Sequence, residues 1–232
     1  MAADRQKTMQ NVWELRGISK RMTERRAKLI QKLAKDSGCK LVLDVGCAEG
    51  YVTSYLAEIP AIVVGIDVDP AYLHLAKQKL SNASFINASF ENMPFRDGIF
   101  DSIIILEVLE HLFEAEVTKG LVETFRLIKK DGSLFISVPY KETIRYVTCT
   151  NCKNLTSAHP SGHLRSLDDQ VVASLLPQGL RLFSKIHMPN TVRVSCTRLL
   201  CVLPISLWLK VNNFLGLVRR KGYWIILHYS KT

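Results

Sequence analysis

An α/β fold built on a parallel sheet is what this sequence predicts, from three observations. Short apolar runs rich in β-branched residues alternate with helical patterns, two of those runs carry an acid at or near their end, and a glycine turn follows the first. Leu41-Val42-Leu43-Asp44-Val45 reads as a strand buried on both faces, and Gly46-Cys47-Ala48-Glu49-Gly50-Tyr51-Val52-Thr53 as a sharp turn into a helix. Gly46 and Gly50 leave room for a ligand against the main chain, and amides at the helix start can bond its polar groups. Asp44, at the strand's carboxyl end, suits a cationic amine. Roughly 20 residues on, Ile62-Val63-Val64-Gly65-Ile66-Asp67 is a second run ending in an acid, the arrangement that sets a carboxylate on ribose hydroxyls.

The remaining elements follow in order. Residues 1–18 have little periodicity and form an arm whose Trp13 and Leu15 can fold over the ligand. From Ser19, the residues Met22, Leu29, Ile30 and Leu33 share one stripe, which predicts a lid or flanking helix ending near Ser37-Gly38. Tyr51 to Glu58 is the first crossover helix, closed by Pro60. Pro70 opens the next, Ala71 to Leu80, where its missing N–H is harmless. Phe85-Ile86 is a short third strand and Asp101 to Leu106 a central fourth. Glu114 to Lys129 is a helix stopped at Asp131-Gly132, and Ser133 to Val138 is the fifth strand. Ser166-Leu167-Asp168-Asp169 starts a helix reaching Leu176, Gly179 leads into a sixth strand from Leu180 to Ile186, and Tyr223 to Tyr229 is the last. Alternating strands and helices imply right-handed crossovers. A single domain over residues 1–232 is expected, with three appendages: an arm and lid helix at 1–38, an acceptor loop at 140–165 and an insertion at 188–221.

The net charge of +10 is uneven. Residues 1–40 carry eleven basic and four acidic side chains, residues 41–180 eleven and seventeen, and residues 181–232 nine and none. Basic ends suit an anionic partner, whether a phospholipid surface, a pyrophosphate-linked substrate or RNA; the alternative is a solvated basic face. No apolar run behind a basic start marks a secretory signal, and six unpatterned cysteines fit a reducing compartment, so the cytoplasm is the expected location. In the insertion, Leu199-Leu200-Cys201-Val202-Leu203-Pro204-Ile205-Ser206-Leu207-Trp208-Leu209 is apolar apart from one serine, and Phe214, Leu215, Leu217 and Val218 extend it. This run is too short and interrupted to span a bilayer. Three readings stay open: a helical pair packed on the domain or across a homodimer seam; an interfacial pair at the inner membrane surface, with Trp208 at headgroup depth and Arg219, Arg220 and Lys221 on phosphates; or a lid over an apolar acceptor.

The stretch from Leu41 to Thr53 resembles motif I of class I S-adenosylmethionine-dependent methyltransferases, in their small-molecule, ubiquinone-type branch. The likeness continues through Asn87-Ala88-Ser89-Phe90-Glu91-Asn92-Met93-Pro94-Phe95, then Phe100-Asp101-Ser102-Ile103-Ile104-Ile105-Leu106-Glu107-Val108-Leu109-Glu110-His111, then Asp131-Gly132-Ser133-Leu134-Phe135-Ile136-Ser137-Val138-Pro139. It covers about residues 25 to 190 in the right order, which sets aside a dinucleotide dehydrogenase. The resemblance implies a Rossmann-like seven-stranded sheet in the order 3-2-1-4-5-7-6 with helices on both faces. Its last strand runs antiparallel, with a helical insertion before it. S-adenosyl-L-methionine would lie on Asp44, Gly46, Cys47, Ala48, Gly50 and Tyr51 after the first strand. Asp67 and Val68 would follow the second strand, Asn87, Ala88, Ser89 and Phe90 the third, and Leu106 and Glu107 the fourth. Two positions depart from the family. Ala48 stands where a middle glycine is usual, which a methyl group satisfies if φ stays negative. Asn87 stands where an aspartate often meets the adenine amino group, and an amide oxygen can accept the same bond.

Family position makes His111 the candidate base, against a reading in which Glu110-His111-Leu112 only starts a helix. Glu107-x-x-Glu110-His111 also resembles the metal-binding segment of ubiquinone-type O-methyltransferases and small-RNA 2′-O-methyltransferases, with His163 as the downstream ligand. A second constellation, Cys149-Thr150-Asn151-Cys152 followed by His159 and His163, has the ligand types and local spacings of a structural zinc site, with a short gap between the pairs. Its alternative is four side chains in an acceptor loop. The expected function is methyl transfer to a hydroxyl of a small-molecule or lipid-linked acceptor. The alternatives are an RNA methyltransferase, although no RNA-binding module is recognisable, and a non-catalytic cofactor-binding protein.

Overall fold

The computed structural model describes residues 12–15, 17–148, 155–189, 203, 204, 207, 208, 210, 211 and 223–232. In chain order its elements are α1 (Gly17–Asp36), β1 (Leu41–Val45), α2 (Tyr51–Leu56), β2 (Ile62–Asp67), α3 (Pro70–Lys79), β3 (Ser84–Asn87), β4 (Phe100–Leu106), α4 (Glu114–Leu127), β5 (Ile128–Tyr140), β6 (Tyr146–Thr148), β7 (Leu155–Ser157), α5 (Asp169–Leu175), β8 (Leu180–Pro189) and β9 (Tyr223–Lys231). Seven strands form one sheet in the order β3-β2-β1-β4-β5-β9-β8, and β6 and β7 pair separately. With that small hairpin set apart, this is the predicted order. β1 to β5 run parallel, and β9 lies antiparallel between β5 and β8.

The apolar runs are strands because both faces of the sheet are covered. On one face Leu43, Val45, Ile103, Ile105, Leu134 and Ile136 pack with Val117, Leu121 and Leu127 of α4 and Val172 of α5. On the other, Val42, Val63, Ile104, Phe135 and Ile226 meet Met22, Leu29, Ile30 and Ala34 of α1. The first helix is therefore a flanking layer. Between β1 and β4 the order reverses, so the chain leaves these neighbours in opposite directions and a crevice opens beyond their carboxyl ends.

Several boundaries differ from the sequence reading. α4 stops at Leu127 and β5 begins at once, pairing Ile128 with Phe100 and Ser133 with Ser102. Lys129 to Gly132 bulge outward opposite Asp101, whose carboxylate takes the Lys129 ammonium at 2.6 Å and the amides of Lys40 and Leu41. β8 and β9 are each longer than expected, because they zip together from Leu180–Lys231 to Pro189–Tyr223. The loop at 140–165, in which the sequence reading placed no strand, contains the hairpin β6–β7.

Trp208 is not at headgroup depth. Its side chain is 1% exposed, packed in the α1 face of the core, with the Arg25 guanidinium 4.9 Å above the ring and bonded to the Leu203 carbonyl at 2.9 Å. An indole in that position packs in the protein interior, with Arg25 and α1 against it. Arg219, Arg220, Lys221 and most of the apolar run lie outside the described residues, and no described helix is long and apolar enough to cross a membrane. Trp208→Ala should lower stability by about 3–5 kcal/mol, the usual range for emptying a buried aromatic site, read as a lower midpoint in urea unfolding.

Candidate active site

The loop after β1 is held by the end of β2. Gly46 N and Cys47 N both donate to the Ile66 carbonyl, at 2.9 and 3.0 Å, and Ala48 N donates to Asp67 Oδ2 at 2.9 Å. This grip requires left-handed backbone at alternate positions: φ is +69° at Gly46, +46° at Ala48 and +80° at Gly50. Ala48 therefore does not keep the negative φ expected of it, because its amide must turn towards the Asp67 carboxylate. For a residue with a Cβ that conformation costs roughly 1–2 kcal/mol. At Gly46 a Cβ would fall 2.5 Å from Val108 Cγ2, so no side chain fits there.

Three polar side chains from three strands face the crevice region. Asp44 is 3% exposed and accepts from Thr53 Oγ1 at 2.6 Å. Burial pushes its pKa up to about 7, against the opposing hydrogen bond from Thr53, with the Asp67 charge raising it further. A cationic amine beside it would restore the ionised form. Asp67 accepts from Ala48 N and, through Oδ1, from Asp69 N at 2.9 Å; burial raises its pKa while these amides pull it down. Asn87 is exposed, with its amide nitrogen on the Asp67 carbonyl at 2.9 Å and its oxygen facing away from that bond. Ala88 N also donates to the Asp67 carbonyl, at 3.2 Å, and Ser89 bridges to Asn92 beyond it. Val68 stands out into solvent. Trp13 arches back to the loop, donating to the Glu49 carbonyl at 3.1 Å and meeting Tyr51 edge to face at 5.1 Å, while Lys79 binds Glu49 at 2.6 Å and lies over the Trp13 ring.

Some predicted cofactor residues point elsewhere. The Phe90 ring is buried against Gly120 of α4, where an added Cβ would come within 2.0 Å of it, so it is a core residue. The Cys47 thiol packs with Leu73, Ala76 and Phe85, admitted because Gly65 beside it has no side chain. Leu106 leans on the α1 side of the core. Glu107, at a φ of +56°, takes Ser137 Oγ at 2.9 Å, the Trp224 indole N–H at 2.5 Å and Arg26 at 3.3 Å. Its carboxylate is thus committed to locking α1 and β9 onto the sheet, so a contact with the cofactor is left to its backbone.

Beyond β4 a second group assembles on the short turn Leu109–His111. His111 meets His163 edge to face at 4.8 Å, and Leu164 N donates to the Glu110 carbonyl at 2.7 Å. Glu110 is 1% exposed, and neither carboxylate oxygen has a hydrogen-bond partner among the described residues. Burial and the neighbouring Glu107 charge push its pKa well above the carboxylate range. Donor atoms of Glu110, His111 and His163 lie within 4.8 Å of one another, so three of the four ligands of the resembled metal segment fit an ion. Glu107 does not join them. Of the predicted zinc clip, His159 and His163 are stacked at 4.3 Å, while Cys149 and Cys152 lie outside the described residues.

Residues 43–136, from β1 to β5, match a family model described as a methyltransferase domain. Over 170 residues the chain is 26% identical to the ubiquinone biosynthesis O-methyltransferase of Glaesserella parasuis, covering 68% of this chain and 64% of that protein. Residues 43–136 thus carry a methyltransferase domain, and its relatives support a class I S-adenosylmethionine-dependent methyltransferase. The chain is also 28% identical over 126 residues to the 18S rRNA (guanine-N(7))-methyltransferase of Schizosaccharomyces pombe, covering 53% of this chain and 45% of that protein. Among solved structures, the N-methyltransferase NodS from Bradyrhizobium japonicum in complex with S-adenosyl-L-homocysteine has a TM-score of 0.62 at 16% identity, over 90% of this chain and 87% of that one, which shows the fold. The chain spans from 40% to 64% of the length of the first curated relatives it matches.

Sequence reasoning missed Glu142, Arg26 and Trp224. Glu142 is a lone acid after β5, and nothing in its spacing pairs it with His159 and His163. Two expectations follow from the loop and its acids. Ala48→Gly should be tolerated or stabilising by up to about 1 kcal/mol, since relief of left-handed strain outweighs or matches the roughly 0.4–1 kcal/mol of added unfolded-state entropy; thermal melts of both proteins measure it. For Asp44 the folded pKa is raised, so between about pH 4 and 7 the native state holds the extra proton and unliganded stability falls as pH rises. The stability of Asp44→Asn relative to the parent should climb across that window and level off above it, in urea titrations at a series of pH values.

Proposed function

We propose that this chain binds S-adenosylmethionine in the crevice beyond β1 and β2 and transfers its methyl group to a hydroxyl of a small-molecule or lipid-linked acceptor. The observation that carries the reading is the pinning of a left-handed loop by Asp67, which brings Asp44, Asp67 and Asn87 to one crevice. In this reading Asp44 faces the amine of the methionine portion, the remaining acceptor capacity of Asp67 takes the ribose hydroxyls, and the Asn87 amide oxygen takes the adenine amino group. Methyl transfer from a sulfonium asks the protein for in-line approach, dryness and a proton sink. His111, at the end of β4 and braced by His163, is placed to take the acceptor's proton. The resemblance to a ubiquinone biosynthesis O-methyltransferase supports a hydroxyl acceptor.

An RNA acceptor is a second reading, supported by the basic chain ends and by the relative that methylates rRNA. It is the weaker one, because Arg25 and Arg26 in the basic N-terminal region are engaged inside the fold, on Trp208 and the Leu203 carbonyl and on Glu107 and Trp224. An anionic membrane surface as the source of a lipid-linked acceptor rests on residues 199–221 and is tested by vesicle sedimentation; recovery of wild type entirely in the supernatant with anionic vesicles removes it.

Calorimetry with S-adenosylhomocysteine tests the cofactor site. Asp67→Ala should weaken binding by about 10- to 100-fold, the loss expected for hydrogen bonds to a charged group worth roughly 1.5–3 kcal/mol. No saturable binding by wild type at ~1 mM ligand would end the proposal. With a labelled methyl donor and fractionated lipid, RNA and metabolite extracts, His111→Ala should lower turnover about 10²- to 10⁴-fold with unchanged cofactor affinity. Tight binding without turnover on any fraction would instead identify a non-catalytic cofactor-binding protein.

A further inference from the structure

We propose that Glu142, His159 and His163 bind one divalent transition-metal ion of the zinc class, clipping the loop between β5 and α5 shut. Glu142 Oε1 stands 3.1 Å from His159 Nε2, and Glu142 Oε2 stands 2.5 Å from His163 Nδ1. The donor atoms of the three residues lie within 4.8 Å of one another. Zinc takes imidazole nitrogen at about 2.0–2.1 Å and carboxylate oxygen at about 2.0–2.2 Å, so ligand atoms around a tetrahedral ion sit roughly 3.3 Å apart. Shifts of a few tenths of an ångström to about 1 Å in these side chains would open the set around an ion.

The chain builds this convergence locally. His159 and His163 are four residues apart, across a turn closed by Gly162 N donating to the His159 carbonyl at 2.9 Å, with Gly162 at φ +72°. Their rings stack with centroids 4.3 Å apart and planes 17° apart, which presents both edges to the same carboxylate. Lys141, at φ +50°, turns the chain off β5 so that Glu142 meets them. Ser157 forms an outer layer, its hydroxyl donating to the His163 carbonyl and accepting from His159 N at 3.1 Å. One contact must change on binding. His159 Nδ1 accepts from Ser161 N at 3.3 Å, which puts the ring proton on Nε2, and an ion on Nε2 needs that proton on Nδ1. The bond to be given up is a long one.

The loop also lacks other support. All three residues of β6 are exposed, so β6 contributes little apolar burial. Yet His163, at the base of this segment, is 8% exposed and abuts His111. Ionic and metal ties hold loops that cannot bury a core, and here the tie would fix His163 against the end of β4. The set is separate from Glu110 and His111, which share only His163 with it.

Protein stripped with a chelator and dialysed into metal-free buffer is titrated with Zn(II) and with Co(II). About one equivalent should bind, and the cobalt form should show visible ligand-field bands without the near-ultraviolet thiolate charge-transfer band that Cys149 or Cys152 would add. Glu142→Gln and His159→Gln should each weaken binding by more than ~100-fold, while Glu110→Gln leaves it unchanged. Circular dichroism and urea midpoints of the metal-free variants separate lost ligands from lost folding. The proposal is overturned by a wild type that binds no metal, by a thiolate band, by full metal retention in folded Glu142→Gln, or by loss of metal in folded Glu110→Gln. It stands whether or not the methyl-transfer reading does, since metal binding is read without cofactor or acceptor.

Discussion

The bond from Ala48 N to the Asp67 carboxylate decides the shape of the crevice. A hydrogen bond to a charged acceptor is worth roughly 1.5–3 kcal/mol net, and left-handed backbone at an alanine costs roughly 1–2 kcal/mol. The bond wins by a small margin, and the second amide on Asp67, from Asp69, adds to it. Because Gly46 N and Cys47 N hold the Ile66 carbonyl one residue earlier, the loop after β1 is tied to the end of β2 at three points. Asp44 is then buried behind the loop, where its elevated pKa makes it a poor resident anion and a good partner for an incoming cation.

A second constraint holds the opposite side. Glu107 gathers Arg26 of α1, Ser137 of β5 and Trp224 of β9 at the end of β4, and Arg26 also lies 5.3 Å over the Trp224 ring. Arg25, one position earlier, covers Trp208. Part of the basic charge of the chain's amino-terminal region is therefore spent on fastening the helix to the sheet. An argument from charge counts to an anionic partner has to subtract these residues.

The order of strands was legible because each strand is an uninterrupted apolar run bounded by turn residues, and two acids and two glycines fell at the spacing that a crevice between β1 and β2 requires. What could not be read was direction. Phe90 belongs to a stretch that resembles a cofactor segment, yet its ring fills the space above Gly120, and only the packing of α4 reveals that. Glu107 carries the right letter at the right position, and its partners come from residues 81 positions earlier and 117 later. The φ of Ala48 follows from a carboxylate nineteen residues away. Each miss is a long-range contact overriding a local pattern, which composition and spacing do not record.

The two halves of the crevice follow different rules of construction. Around β1 to β3 the polar groups are satisfied by the protein itself: Asp67 has two amides, Asp44 a hydroxyl, Asn87 a carbonyl. Such a half is preorganised, and a ligand meets it with little rearrangement. Beyond β4 the pattern reverses, since Glu110 is buried with both oxygens unpaired among the described residues and His163 and His159 crowd one carboxylate. An unpaired buried carboxyl costs several kcal/mol if ionised and less if it keeps its proton, and its raised pKa is the folded protein's response to that cost. Beside the His111 and His163 imidazoles and the Glu107 charge, Glu110 meets that cost by keeping its proton. This side of the crevice thus has its unmet electrostatic demand where the acceptor would arrive, and the specificity of the chain is to be sought there.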